Sequence, residues 1–143
     1  MKKIIADSTA LILLSKCNLL EILCTRFEVV VPSSVIDETA SDELVKDYPD
    51  ASLIRDLFEK GVLKIEQLES GELDVPITLH RGERDALMLA LHSPDTLYAT
   101  DDGKAIKAAR FLKIPFIITP KIVVDLYRSV SYTHLRAHET KAN

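Results

Sequence analysis

Glycine is scarce in this chain, four among 143 residues. None stands in a GxxxxGK[ST] or GxGxxG arrangement, so nucleotide cradles built from glycine-rich turns are excluded. The G-x-S-x-G elbow of the serine hydrolases is also missing. An aspartyl-phosphate phosphatase wants a second aspartate two residues after the first-strand acid, and here Thr9 stands two residues after Asp7. A phosphorylated receiver would carry its acidic pair at the first strand, whereas the pair Asp101-Asp102 comes late. There are only two cysteines, Cys17 and Cys24. They are too far apart for a zinc knuckle and fall on apolar positions, which reads as buried thiols in a reducing, cytoplasmic setting. No apolar run reaches the roughly 18 residues of a membrane span. The N-terminal stretch MKKIIADSTALILLSKC is interrupted by Asp7 and suits a first strand and helix better than a signal peptide.

What is present is enough for one sizeable core: 47% of the residues are hydrophobic, with no composition shift that would divide the chain. The formal net charge of -4 arises from both signs spread along the sequence, so a nucleic-acid partner has to be argued locally. Strands are predicted at KIIAD (3–7), FEVVV (27–31), VLKIEQL (62–68), TLYAT (96–100) and FIIT (116–119). Between them lie helical stretches. STALILLSK is opened by Ser8 or Thr9, and NLLEILC follows as a second piece. A helix starting at Pro32-Ser33-Ser34 continues through VIDETASDELV, with Ser34 and Asp37 three apart as in a capping box. SLIRDLFEK is capped by Asp50 and ended by Gly61, and ESGELDVPITLHRG (69–82) reads as a polar loop. ERDALMLAL, GKAIKAARFLK and PKIVVDLYR complete the set, the last with Pro120 in its first turn. Strands alternating with helices of this length imply an α/β fold with a mainly parallel central sheet and helices on both faces. That domain is expected over residues 1–128. The remainder, 129–143, loses its apolar periodicity, and SYTHLRAHET resembles translated adaptor sequence; it reads as a non-native or disordered tail. His134 and His138, four apart, offer only a weak metal-binding pattern there.

The chemistry-bearing residues are acidic. In a parallel sheet the carboxyl ends of the strands share one edge, where ligands bind. Asp7 and Asp101 end two predicted strands, and Asp102 follows directly, so either of the pair can turn toward Asp7 if the strands are neighbours. Glu83 lies on the apolar face of its helix with Ala86, Leu87, Ala90 and Leu91, whereas Asp85 reads as surface charge. The competing account of Glu83 is a first-turn acid that favours the helix dipole. Glu38 is spare once Asp37 is assigned to the cap, and its competing account is a solvated helix charge. Ser8 or Thr9 can support a carboxylate or a metal-bound water, or simply cap the first helix. If the acids converge, two like charges about 4 Å apart repel by roughly 4 kcal/mol at an effective dielectric near 20. A hard divalent cation resolves that conflict, and an all-oxygen site selects Mg2+ or Mn2+. Such an ion makes a bound water nucleophilic toward a phosphodiester. Arg81 and Arg84 flank Glu83, and Lys104 and Lys107, with Arg110 and Lys113 beyond, form a basic stripe able to grip a nucleic-acid backbone; a solvated face is its plain alternative.

Four stretches in order, IIADSTALILLSK, VVVPSSVIDE, LHRGERDALMLAL and LYATDDGKAIKAARFLKIPFIIT, resemble the PIN-domain nucleases over residues 3–128. The GERDALMLA and TDD forms are most similar to a prokaryotic subgroup often encoded as toxins of toxin-antitoxin pairs. The resemblance implies a three-layer α/β/α sandwich and a Mg2+- or Mn2+-dependent endoribonuclease, often dimeric and inhibited by a small antitoxin. It also implies that Asp7, Glu38, Glu83 and Asp101 hold the metal, directly or through water, with Asp102 as an alternative or additional ligand. Ile106 departs from the subgroup, many of whose members carry arginine there. A module of the same fold that binds RNA or a protein partner without cutting is the alternative function.

Overall fold

The structure is a computed structural model that describes residues 2–67 and 73–128. The strands are β1 (Lys3–Ala6), β2 (Glu28–Pro32), β3 (Lys64–Glu66), β4 (Thr96–Ala99) and β5 (Phe116–Ile117). The helices are α1 (Ser8–Lys16), α2 (Leu20–Arg26), α3 (Ser33–Thr39), α4 (Asp42–Asp47), α5 (Pro49–Glu59), α6 (Arg81–Leu91) and α7 (Gly103–Phe111). Residues 119–128, called α8 below, are also helical. The sheet order is β3-β2-β1-β4-β5, and every pair is parallel. The chain therefore builds outward from β1 in one direction and then returns to add β4 on its other side. β1 and β4 are neighbours, and the crevice at such a reversal is where open α/β sheets hold ligands.

Alternation along the buried strands divides the core in two. Ile4, Ala6, Val29 and Val31 face α1, α2, α3 and α5, with Ile122 and Leu126 of α8 joining that layer. Ile5, Val30 and Tyr98 face α6 and α7. The three-layer α/β/α arrangement thus follows from strands that are apolar on both sides. Asp7 continues the phase of Ile5 and so points to the α6/α7 side.

Several local expectations are corrected. Asp7, not Ser8 or Thr9, is the N-cap of α1, since its carboxylate accepts from the Ala10 amide and leaves Ser8 at the first helical position. The helix expected from Ser33 through Val45 breaks at Ala40, and Ser41 caps a separate α4. No side chain caps α3: Ser34 donates instead to Asp85, and Asp37 is exposed. Pro49 starts α5, which puts Asp50 inside the first turn rather than at its cap. Gly61 does end that segment, at φ 74°, a left-handed conformation that favours glycine. In the expected polar loop, Leu73, Val75, Ile77 and Leu79 pack against the α6/α7 core, because their alternation turns each apolar side chain inward. Of the two cysteines only Cys24 is buried, its thiol pushed up to about 11 by burial and by Glu21, while Cys17 is exposed. Among the described residues no single helix is long and apolar enough to cross a membrane; the bent pair α1–α2 has the composition, but its buried side chains belong to the core. The tail, with His134 and His138, lies outside the described residues.

Leu87 is fully buried between α6 and the sheet, whereas Leu91, expected on the same apolar face, is 44% exposed at the end of the helix. Leu87→Ala is expected to cost about 2–5 kcal/mol in chemical denaturation, and Leu91→Ala less than about 1 kcal/mol. Equal losses would contradict the assignment of this helix face.

Candidate active site

Register brings the acids together. Ala6 pairs with Ala99, and the Asp7 amide donates to the Ala99 carbonyl at 3.2 Å, so the residues that leave β1 and β4 lie side by side. Asp7 is completely buried. Its Oδ1 accepts from the Ala10 amide at 3.1 Å and from the Thr9 hydroxyl at 2.9 Å. Its Oδ2 accepts from the Tyr98 hydroxyl at 3.0 Å and from the Thr100 hydroxyl. Burial pushes the Asp7 carboxyl above the usual carboxylate range, and these four donors, led by Thr100, pull against that.

Glu38 reaches this edge from α3. Ser8 donates to its Oε2 at 2.5 Å, and the Gly82 amide donates to its Oε1 at 3.0 Å. Glycine at 82 is what permits this approach, because a Cβ there would stand 2.8 Å from Oε2 and 2.9 Å from Oε1. Ser34 fastens the same two helices by donating to Asp85 Oδ2 at 2.6 Å. Asp85, read as surface charge, is therefore a half-buried tie between α3 and α6.

Glu83 is 8% exposed in the first turn of α6. Burial first, then the negative charges of Asp102 and Asp7, push its carboxyl above the ordinary range; a backbone hydrogen bond from His80 and the His80 ring act in the opposite sense. Glu83 thus lies close enough to feel both Asp102 and Asp7. Asp102 caps α7, its Oδ1 accepting from the Lys104 amide at 2.9 Å and the Ala105 amide at 3.0 Å. Asp101 turns to a different partner. Its Oδ1 accepts from the Thr119 amide at 2.8 Å at the start of α8, and its Oδ2 is buried with no hydrogen-bond partner. The adjacent aspartates divide: Asp101 is tied to α8, and Asp102 is the one whose charge Glu83 feels most.

Ser8 and Thr9 both support carboxylates rather than capping α1. Tyr98 and Thr100 escaped the sequence reading, which treated TLYAT only as a strand. Their spacing of two on one strand face, both with hydroxyls, was the available signal, but it acquires meaning only once β4 is known to lie beside β1. Of the basic residues, Arg81, Arg84, Lys104 and Lys107 are exposed on α6 and α7. Arg81 lies 3.9 Å from Asp85, a loose pair. Arg110 does not continue the stripe toward the site: it stacks over Phe116, 5.5 Å from the ring centroid. Lys113 also departs, lining a hollow of about 800 Å3 with Lys2, Asp95 and Pro115 at the opposite edge of the sheet.

Among the described residues, no three acid, histidine or cysteine side chains close into a ready-made cage for a metal ion. The donor set nevertheless suits a hard cation. It is entirely oxygen, Glu83 is crowded by two further carboxylates, and Asp101 keeps a buried oxygen without a partner.

A family model described as PIN domain matches residues 3–136. Comparison with curated proteins gives no match. Among solved structures, the fold is similar to that of a PilT N-terminus domain protein from the hyperthermophilic archaeon Sulfolobus solfataricus P2. The TM-score is 0.57 at 14% identity, over 87% of this chain and 92% of the other.

The electrostatics of Glu83 give a pH dependence. Its folded-state carboxyl sits above the ordinary 4.5, so the folded protein binds that proton more tightly than the unfolded chain does. The corresponding stability is complete below pH 4.5 and is lost as pH rises through the raised value. In metal-free buffer, Glu83→Gln is therefore expected to gain stability relative to the unsubstituted protein as pH rises from 4 toward 8. Denaturation curves of the two proteins that stay parallel over that range would contradict the crowding.

Proposed function

The chain belongs to the PIN-domain family, whose members are generally nucleases, and from that premise we propose that it is a Mg2+- or Mn2+-dependent endoribonuclease. The observation that carries the reading is that buried Glu83 feels the charges of both Asp102 and Asp7, beside the β1/β4 reversal. Crowded carboxylates destabilise a fold unless positive charge accompanies them. Glu83 and Asp102 would hold the cation, with Asp7 beside them; Glu38 and Asp101 are each tied to a helix amide. When bound, such an ion lowers the pKa of a coordinated water and stabilises charge developing on phosphate oxygens.

The chain's own residues supply the rest. Thr9, Tyr98 and Thr100 keep the Asp7 carboxylate oriented, and Ser8 orients Glu38. Gly82 leaves α6 bare enough for Glu38 to reach its amide. Lys104, two residues after Asp102, and Arg81 and Arg84, on either side of Glu83 in sequence, would contact RNA phosphates. Lys107 extends that surface along α7. The subgroup resemblance extends the proposal to a toxin of a toxin-antitoxin pair: a cytoplasmic protein, held inactive by an antitoxin and assembling as a homodimer.

Asp102→Asn tests the reading, because asparagine caps a helix about as well as aspartate and removes only the charge. Cleavage of an end-labelled RNA in Mn2+ is expected to fall on the order of 100-fold, the loss typical of removing one charge-stabilising group, with melting temperature nearly unchanged. Full cleavage by this variant, or by the unsubstituted protein in EDTA, would overturn it. Saturable binding of Mn2+ and RNA by the unsubstituted protein without any cleavage would favour the non-cutting module.

For the basic surface, Lys104→Ala is expected to weaken RNA binding alike across sequences and to reduce the slope of log affinity against log salt by about one. Fluorescence-anisotropy titrations at several salt concentrations measure both; an unchanged slope would place Lys104 off the RNA path.

A further inference from the structure

An ionised carboxylate offers about four lone-pair positions, and every one on Asp7 is taken. Thr9 and the Ala10 amide occupy Oδ1, and Tyr98 and Thr100 occupy Oδ2. The four donors differ in how easily they can withdraw. Thr9 is exposed, and its hydroxyl can turn to water. Tyr98 cannot. It is fully buried with its ring in the α6/α7 core, so its hydroxyl has no water to turn to. Thr100 is equally buried and is held from its other side, since its Oγ1 accepts from the Asp102 amide at 3.2 Å.

We propose that Tyr98 is a positioning residue that competes with the divalent cation: its immovable hydroxyl, together with Thr100, keeps Oδ2 of Asp7 occupied and so weakens the hold of the carboxylate cluster on metal. The inference rests on the reading of this cleft as a metal site. Removing the Tyr98 hydroxyl frees one acceptor position on Oδ2 and leaves that oxygen a more basic donor toward a cation. Its direction is kept, because the Ala10 amide, Thr9 and Thr100 still hold it. A hydroxyl that served stability alone would lower the melting temperature when removed and leave the affinity for metal where it was.

The test compares Tyr98→Phe with the unsubstituted full chain by two measurements. Titration with Mn2+, following the paramagnetic resonance signal of the free ion, gives Kd. Thermal melting in EDTA gives stability without metal. The expected result is binding tighter by on the order of ten-fold, the worth of one hydrogen bond, together with a lower melting temperature in EDTA. Unchanged or weaker Mn2+ binding by Tyr98→Phe, beside clear binding by the unsubstituted protein, would overturn this inference and leave the nuclease reading standing. Absence of binding by both would overturn both, and binding by the variant alone would support the competition. Should Tyr98→Phe fail to fold, Thr100→Val removes the other hydroxyl from Oδ2 and is expected to tighten Mn2+ binding in the same direction, with unchanged or weaker binding again overturning the proposal.

Discussion

A carboxylate with no solvent exposure organises this protein. Burying an isolated charge of that kind is costly, and it is tolerated here because Asp7 accepts four hydrogen bonds from two parts of the chain. The same group closes the first turn of α1, ties the end of β1 to β4 through Tyr98 and Thr100, and through Thr100 reaches the amide of Asp102. Strand pairing, helix start and placement of the acidic residues are therefore one connected hydrogen-bond network.

The other acids follow a related rule. Asp7 engages the amide of Ala10 at the start of α1, Glu38 that of Gly82 in α6, Asp102 those of Lys104 and Ala105 in α7, and Asp101 that of Thr119 in α8. In a parallel α/β sheet the helices that follow the strands begin at the carboxyl edge, so their positive ends gather where the acids stand. Helix termini thus offset part of the repulsion among the carboxylates. The remainder is visible at Glu83, where burial and the neighbouring charges of Asp102 and Asp7 raise the carboxyl in spite of His80.

The parts of the architecture that were legible were those encoded locally. Runs of β-branched residues in FEVVV and alternation in the other strands marked the sheet, and the apolar face shared by Glu83, Ala86 and Leu87 placed that glutamate inward. Local signals failed where two local solutions compete. Ser34 and Asp37 have the spacing of a capping box, but Ser34 finds Asp85, 51 residues away. The loop before α6 looked polar by composition, yet Leu73, Val75, Ile77 and Leu79 turn toward the core. The stripe from Lys104 to Lys113 seemed continuous on paper, whereas Arg110 is drawn to Phe116 and Lys113 lies past the end of α7 at the opposite edge of the sheet.

Residue order alone determined that this is an alternating α/β chain with acids at strand ends and on an inward helix face, because periodicity and helix phase are properties of neighbours in sequence. Tertiary structure decided which acids meet. Strand order put β4 against β1, which turned Tyr98 and Thr100 into partners of Asp7, brought the charge of Asp102 within reach of Glu83, and gave Asp101 to α8. The physical reason is that a side chain's hydrogen-bond partner is set by distance through space, and pairing between strands some ninety residues apart leaves no trace in the local pattern of either.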